Sequence, residues 1–164
     1  MRLEGSCHCG AVRFTCESAA PYPFMHCYCS ICRKTAGSGG FAINLHADEV
    51  SLTVEGEENI TVYRAWLDHP VRHTRSQAER RFCRHCGTSL WVWDPNWPDF
   101  VHPFASAVDT PLPVPPERVH IMLEGKPEWV PVPEGSTDEH YPEDPDESLL
   151  EWHDRHGLAG DEAP

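Results

Sequence analysis

The sequence contains no run of about 18 consecutive apolar residues, which is the least that a membrane-spanning helix needs. Its first ten residues, MRLEGSCHCG, have no apolar stretch of the kind that a secretory signal peptide carries. No segment repeats at a fixed period, and no concentrated basic stripe is visible. We therefore expect a cytoplasmic protein that is not embedded in a membrane.

Basic residues are scarce, with 13 Lys and Arg against 26 Asp and Glu. The imbalance is local: from Pro131 onward 11 acidic residues accompany Arg155 alone, which gives −10 in 34 residues. The first 130 residues hold the remaining 15 acids and 12 bases, or −3. Because an acidic surface repels phosphate backbones, the sequence predicts that nucleic acid is not a partner.

The chain of 164 residues is long enough for one domain with a hydrophobic core. Its 16 prolines and 11 glycines leave little room for long helices. Short runs rich in β-branched and aromatic residues are bounded by turn residues, and they predict a mainly β fold of short antiparallel strands. These runs are AVRFTCE (11–17), FAINL (41–45), VSLTVEG (50–56), NITVYRAW (59–66), SLWVW (89–93) and RVHIM (118–122).

We expect residues 1–130 to form the β domain and residues 131–164 to form an acidic, proline-rich linker with a short helical tail. The helix is predicted from Asp144 to His156, with Asp144 as its N-cap and Pro145 at the first helical position. Residues 131–143 are predicted to lack regular structure. The apolar side chains available to dock the helix are Leu149, Leu150 and Trp152.

Seven of the eight cysteines fall into three groups at metal-binding spacings. Cytosolic thiols stay reduced, so disulfides are not expected. Two pairs that are distant in sequence can close one four-thiolate site, which leaves the triplet to hold a second ion alone. The pairs are Cys7 with Cys9 and Cys83 with Cys86, and the triplet is Cys27, Cys29 and Cys32. The eighth cysteine, Cys16, is predicted to be a core residue on a strand face with Val12 and Phe14.

Each group also has a less specific interpretation. A C-x-x-C pair can be a thioredoxin-type redox motif, although Cys83 and Cys86 follow no βαβ pattern. The triplet can be a second structural site, completed by a histidine or by a cysteine from a partner chain. The candidate histidines are His8, His26 and His85.

An incomplete ligand set has chemical consequences. Four ligands close a structural zinc site, whereas three leave a position for water or substrate. A thiol that enters such a position is deprotonated and becomes a nucleophile at neutral pH. The adjacent Arg33 and Lys34, or the glycine-rich residues 35–40, could receive a carboxylate or a developing oxyanion, or they could be plain surface charge and a turn.

With these motifs in view, the sequence resembles the glutathione-dependent formaldehyde-activating enzyme family, whose domain is shared with centromere protein V. The resemblance runs from Gly5 to about Trp129, and it departs at Ser106, where members usually carry glycine. The matching segments are GSCHCGAVRF (5–14), HCYCSICRK (26–34) and RFCRHCGTSL (81–90), with weaker matches at ASAVDTP (105–111) and VHIMLEGKPEW (119–129).

The resemblance implies a zinc-stapled β-tent fold with two zinc ions per chain. It implies a structural zinc on the two cysteine pairs and a second, active-site zinc on Cys27, Cys29 and Cys32. Glutathione and formaldehyde are expected as reactants, in a reaction of the carbon–sulfur lyase type. The alternative is a non-catalytic zinc module that binds a protein through its tail or aromatic face.

Overall fold

The computed structural model describes residues 1–69, 72–133 and 137–158. Its two short α-helices are α1 (Ser30–Thr35) and α2 (Leu149–Arg155). Its strands are β1 (Arg2–Ser6), β2 (Arg13–Glu17), β3 (Phe24–Cys27), β4 (Ala42–Asn44), β5 (Ala47–Asp48), β6 (Thr53–Glu55), β7 (Ile60–Tyr63), β8 (Trp66–His69), β9 (Arg72–Arg75), β10 (Glu79–Cys83), β11 (Ser89–Trp93), β12 (Phe100–Pro103), β13 (Arg118–Ile121) and β14 (Glu139–His140). In these residues the predicted mainly β fold is confirmed.

Within the described residues the strands form four small sheets, ordered β1-β2-β6, β5-β12-β11-β10-β7, β14-β13-β3-β4 and β8-β9. Pairing is antiparallel except at β13, which runs parallel to both β3 and β14. Each of the six sequence runs predicted to be β contains at least one of these strands. Short strands suit this chain because proline and glycine recur too often for longer ones.

The alternation predicted for β2 and the residue before it is confirmed, since Val12, Phe14 and Cys16 are almost completely buried. They belong to a hydrophobic cluster that also contains Cys7, Cys83 and Trp91. The expectation that Cys16 is a core residue is therefore confirmed, and burial raises the pKa of its thiol to about 12. A second cluster contains Cys27, Cys32 and the tail residue Trp152. Each cysteine group thus contributes two buried members to its own part of the core, whereas Cys9 and Cys86 are exposed.

The tail differs from the sequence prediction in two respects. Residues 139–140 form β14 against β13, so the claim that residues 131–143 lack regular structure is wrong. The helix exists, but it begins at Leu149, so its predicted start at Asp144 is also wrong. The reason is a capping box: the Ser148 hydroxyl accepts from the Glu151 N–H, and the Glu151 carboxylate accepts from the Ser148 N–H.

The tail helix is anchored chiefly by Trp152, which is 4% exposed and packs in the cluster with Cys27 and Cys32. Neighbouring His153 is buried too, and its Nε2 lies 2.5 Å from the carbonyl oxygen of Tyr22. Leu150, one of the predicted docking residues, instead lies 52% exposed. The described part of the acidic tail is therefore a packed element of the fold.

Replacing Trp152 with alanine is expected to lower the free energy of unfolding by about 3 kcal/mol, because it empties a buried aromatic site. Urea denaturation followed by circular dichroism measures this loss. The matched control is Leu150→Ala, on the same helix but exposed, which we expect to change stability by less than about 0.5 kcal/mol. Equal losses in the two variants would show that the tail does not dock through Trp152.

No helix in the described residues is long and apolar enough to cross a membrane.

Candidate metal centres

The first cysteine group joins the N-terminal segment to the turn after β10. The four sulfur atoms of Cys7, Cys9, Cys83 and Cys86 all lie within 4.8 Å of one another. The Sγ atoms of Cys7 and Cys9 are 3.5 Å apart, and those of Cys9 and Cys83 are 3.7 Å apart. Zn–S bonds of about 2.3 Å in a tetrahedron separate the sulfurs by about 3.8 Å. The group therefore has the composition and the spacing of a closed four-thiolate site.

Local backbone structure turns these sulfurs toward a common point. Gly10 and Gly87, which follow the two pairs, both have φ of +76°, a conformation that favours glycine over residues with a Cβ. The N–H of Val12 donates to the Sγ of Cys7 at 3.2 Å, which stabilises a thiolate. The hydroxyl oxygen of Thr88 accepts from the His8 N–H at 3.1 Å and lies 3.2 Å from the Sγ of Cys86, so it connects the two turns.

The second cysteine group sits where β3 ends and α1 begins. The sulfur atoms of Cys27, Cys29 and Cys32 also lie within 4.8 Å of one another. Cys29 is the N-cap of α1, and its Sγ accepts from the Cys32 N–H at 3.3 Å. Hydrogen bonds from the Cys27 and Cys32 thiols lower the pKa of Cys29. The pKa of Cys27 is raised, chiefly by its hydrogen bonds with Cys29 and Cys32. The group favours at least one thiolate and is suited to a cation.

No fourth His, Cys, Asp or Glu completes the triplet among residues 1–69, 72–133 and 137–158. Of the histidines considered from sequence, His8 is exposed at the other group, and His85 Nε2 lies 2.8 Å from the amide oxygen of Asn59. His26 stacks on Phe41 instead, with ring centroids 4.8 Å apart. Burial lowers the pKa of His26 to about 4, which keeps it neutral at neutral pH.

Tyr28, the residue between the first two cysteines of the triplet, holds this turn against the core. Tyr28 is fully buried, and its hydroxyl lies 2.9 Å from Nδ1 of His120. Its N–H donates to the carbonyl of Ile121 at 3.1 Å. Because Tyr28 points into the core, Cys27 and Cys29 are held on a rigid support.

The basic residues proposed from sequence lie near the triplet without contacting it in the described structure. Lys34 is exposed, and Arg33 is partly buried with its Nε lacking a hydrogen-bond partner among the described residues. Both occupy the last turn of α1, where positive charge complements the helix dipole. The loop after them forms a turn, in which the Gly40 N–H donates to the Gly37 carbonyl at 2.9 Å.

Sequence reasoning missed the residue that does approach the triplet. Nη2 of Arg80 lies 3.9 Å from the Sγ of Cys32. The available signal was its position three residues before Cys83, directly before the third cysteine motif. Nothing in the pattern indicates that β10, which carries Arg80, passes beside α1.

A mainly β fold with a closed four-cysteine group and a separate three-cysteine group defines a protein with two potential metal centres. A family model described as glutathione-dependent formaldehyde-activating enzyme matches residues 2–125, and the chain belongs to this family. This confirms the resemblance proposed from the three cysteine motifs.

The chain is also similar to individual proteins, one of which carries the name of this family. A Halomonas elongata protein named putative glutathione-dependent formaldehyde-activating enzyme is 57% identical over 158 residues, which cover 96% of this chain and 98% of that protein. The crystal structure of a Rhodobacter sphaeroides protein is 30% identical, with a TM-score of 0.51, and the match covers 69% of this chain and 92% of that one. The similarity to the Halomonas protein extends into the acidic tail, beyond the residues that the family model matches.

Proposed function

We propose that this protein is a zinc-dependent enzyme of the carbon–sulfur lyase type. Its substrate would be the adduct of glutathione, or a similar small thiol, with formaldehyde or another small carbonyl compound. The observation that carries the proposal is the incomplete second group: three convergent sulfurs and no fourth ligand in the described residues. Glutathione and formaldehyde are supported by the family and by the name of the Halomonas relative.

The two groups would have different tasks. Cys7, Cys9, Cys83 and Cys86 would hold a structural zinc, while Cys27, Cys29 and Cys32 would hold a second one with an open position. At an open position zinc supplies Lewis acidity and keeps an incoming thiol deprotonated at neutral pH. The chain supplies the rigid turn, because Tyr28 and the start of α1 fix the three sulfurs.

The reaction transfers no electrons to or from an external partner. In the direction of addition, the thiolate sulfur forms a bond to the carbonyl carbon, and the carbonyl oxygen takes up a proton. In the reverse direction, the oxygen gives that proton to solvent and the carbon–sulfur bond breaks with its electron pair going to sulfur, so that a thiolate and the carbonyl compound are released. Burial of Cys27 and Cys32 limits water around the sulfurs, which strengthens electrostatic interactions with the developing oxyanion.

The purified protein should accelerate the exchange between free glutathione and its hydroxymethyl adduct in the presence of formaldehyde. Two-dimensional exchange NMR measures this rate, and elemental analysis counts the zinc ions. The zinc content is measured again after exposure to glutathione and extensive dialysis, since an open site releases its ion before a closed one. Two firmly held ions with no rate acceleration would favour the non-catalytic zinc module instead.

A further inference from the structure

Arg80 carries a charge that no carboxylate neutralises among the described residues. Its Nε and Nη1 atoms are both inaccessible to solvent, and neither has a hydrogen-bond partner there. The remaining nitrogen, Nη2, lies 3.9 Å from the Sγ of Cys32. Arg80 as a whole is partly buried, and its guanidinium group approaches the triplet without the carboxylate that usually pairs with an arginine removed from solvent.

The neighbouring Arg81 shows the usual arrangement. Adjacent strand residues point to opposite faces of a sheet, so Arg81 faces away from α1. Its Nη2 lies 2.5 Å from the carboxylate of Glu79, and it lines a cavity of about 360 Å³ together with Trp91 and Trp93. The two consecutive arginines thus have different partners: Arg81 pairs with a carboxylate, whereas Arg80 lies beside a cysteine sulfur.

Burying a cation without a compensating charge is costly, so a nearby negative group must offset it. The triplet supplies that group. Three thiolates around a divalent ion have a net charge of minus one, which one guanidinium neutralises. If an anionic thiolate then takes the open position, Arg80 keeps the total at minus one where it would otherwise reach minus two.

We propose that Arg80 is a positioning residue that makes the second site selective for an anionic fourth ligand over a neutral one. The proposal rests on the proposed function, in which a thiolate enters this position. This role differs from the one suggested by sequence for Arg33 and Lys34, which was to receive a carboxylate or a developing oxyanion. Arg80 acts through its Nη2 contact with Cys32 and through the charge of the site.

The experiment uses the full chain loaded with Co²⁺, whose visible absorption changes when a ligand enters an open position. Wild type, Arg80→Met, Arg80→Lys and Arg81→Met are titrated with glutathione, an anionic ligand, and with imidazole, a neutral one. Arg80→Met should bind glutathione about 10- to 100-fold more weakly, as expected for loss of a residue that supports a metal ligand. Its affinity for imidazole should stay nearly unchanged, and Arg80→Lys should retain most of the preference. Arg81→Met should match wild type.

A second measurement does not depend on the thiol. Competition with a chelator should remove the second zinc ion from Arg80→Met at a lower chelator concentration than from wild type, with the first ion unaffected. Arg80→Gln provides the same neutral test if the methionine variant does not fold. Equal loss of glutathione and imidazole affinity, or no loss of either, would overturn the role of Arg80. A wild-type protein that holds both ions but binds no glutathione would instead refute the proposed function, while the chelator competition still tests Arg80.

Discussion

Cys83→Ser is expected to lower the free energy of unfolding by about 5 kcal/mol, a large share of the stability of a typical domain. Cys83 is completely buried, and its sulfur lies 3.7 Å from that of Cys9, which is 74 residues away in sequence. An ion held by both segments contributes binding energy that is largely folding energy, because the unfolded chain does not offer the four sulfurs together. Losing this ion also leaves the remaining thiolates crowded together.

Circular dichroism and elemental analysis measure this effect together. The variant should lose one zinc ion and much of its β signal at room temperature. Cys16→Ala is the matched control, because Cys16 is equally buried in the same cluster and lies outside both cysteine groups. We expect it to cost about 1 kcal/mol, as a typical buried substitution does. A folded Cys83→Ser variant with its full zinc content would refute the structural role of the first group.

Cys29→Ser is expected to abolish activity while leaving the fold nearly intact, in contrast to Cys83→Ser, whose main effect is on stability. It should reduce the glutathione-dependent exchange by more than about 100-fold, since even residues behind a metal ligand change affinity or activity by about 10- to 100-fold. The fold should persist, because the group spans only six residues of one turn. Serine is also a favourable N-cap, so the hydroxyl can replace Sγ as the acceptor for the Cys32 N–H.

Zinc content, circular dichroism and exchange NMR on the same sample separate the possible outcomes. The expected result is one zinc ion fewer per chain, an unchanged β signal and no measurable acceleration. If Cys29→Ser unfolds the protein as severely as Cys83→Ser, the triplet is a structural site and the enzyme proposal fails. If the variant loses its ion and keeps full activity, the chemistry occurs elsewhere in the protein.

The cysteine groups were predictable because their geometry is mostly local. In C-x-C and C-x-x-C, a tight turn places two sulfurs on the same side, and Gly10 and Gly87 supply the positive φ that such a turn uses here. Only one pairing of the groups then gives four sulfurs in one set and three in the other. The alternation around Phe14 was equally local, since a period of two in a strand selects a buried face.

The tail was predicted less well, because its structure depends on what it packs against. Asp144 and Pro145 form a reasonable helix start by local criteria, but Ser148 and Glu151 form a capping box that starts the helix four residues later. An acidic segment with many prolines also indicates a solvated linker, unless a sheet edge is available to pair with it. Strand β13 provides that edge for residues 139–140.

By itself, the sequence determined the mainly β class, the family and the partition of seven cysteines, because each depends on residue spacing over short distances. Only the tertiary structure placed Arg80 beside Cys32, since 48 residues separate them and no local pattern specifies that β10 passes next to α1. It also packed Trp152 in the same cluster as Cys27, across more than a hundred residues. Long-range packing of this kind depends on how whole sheets and helices fit together, which residue spacing does not encode.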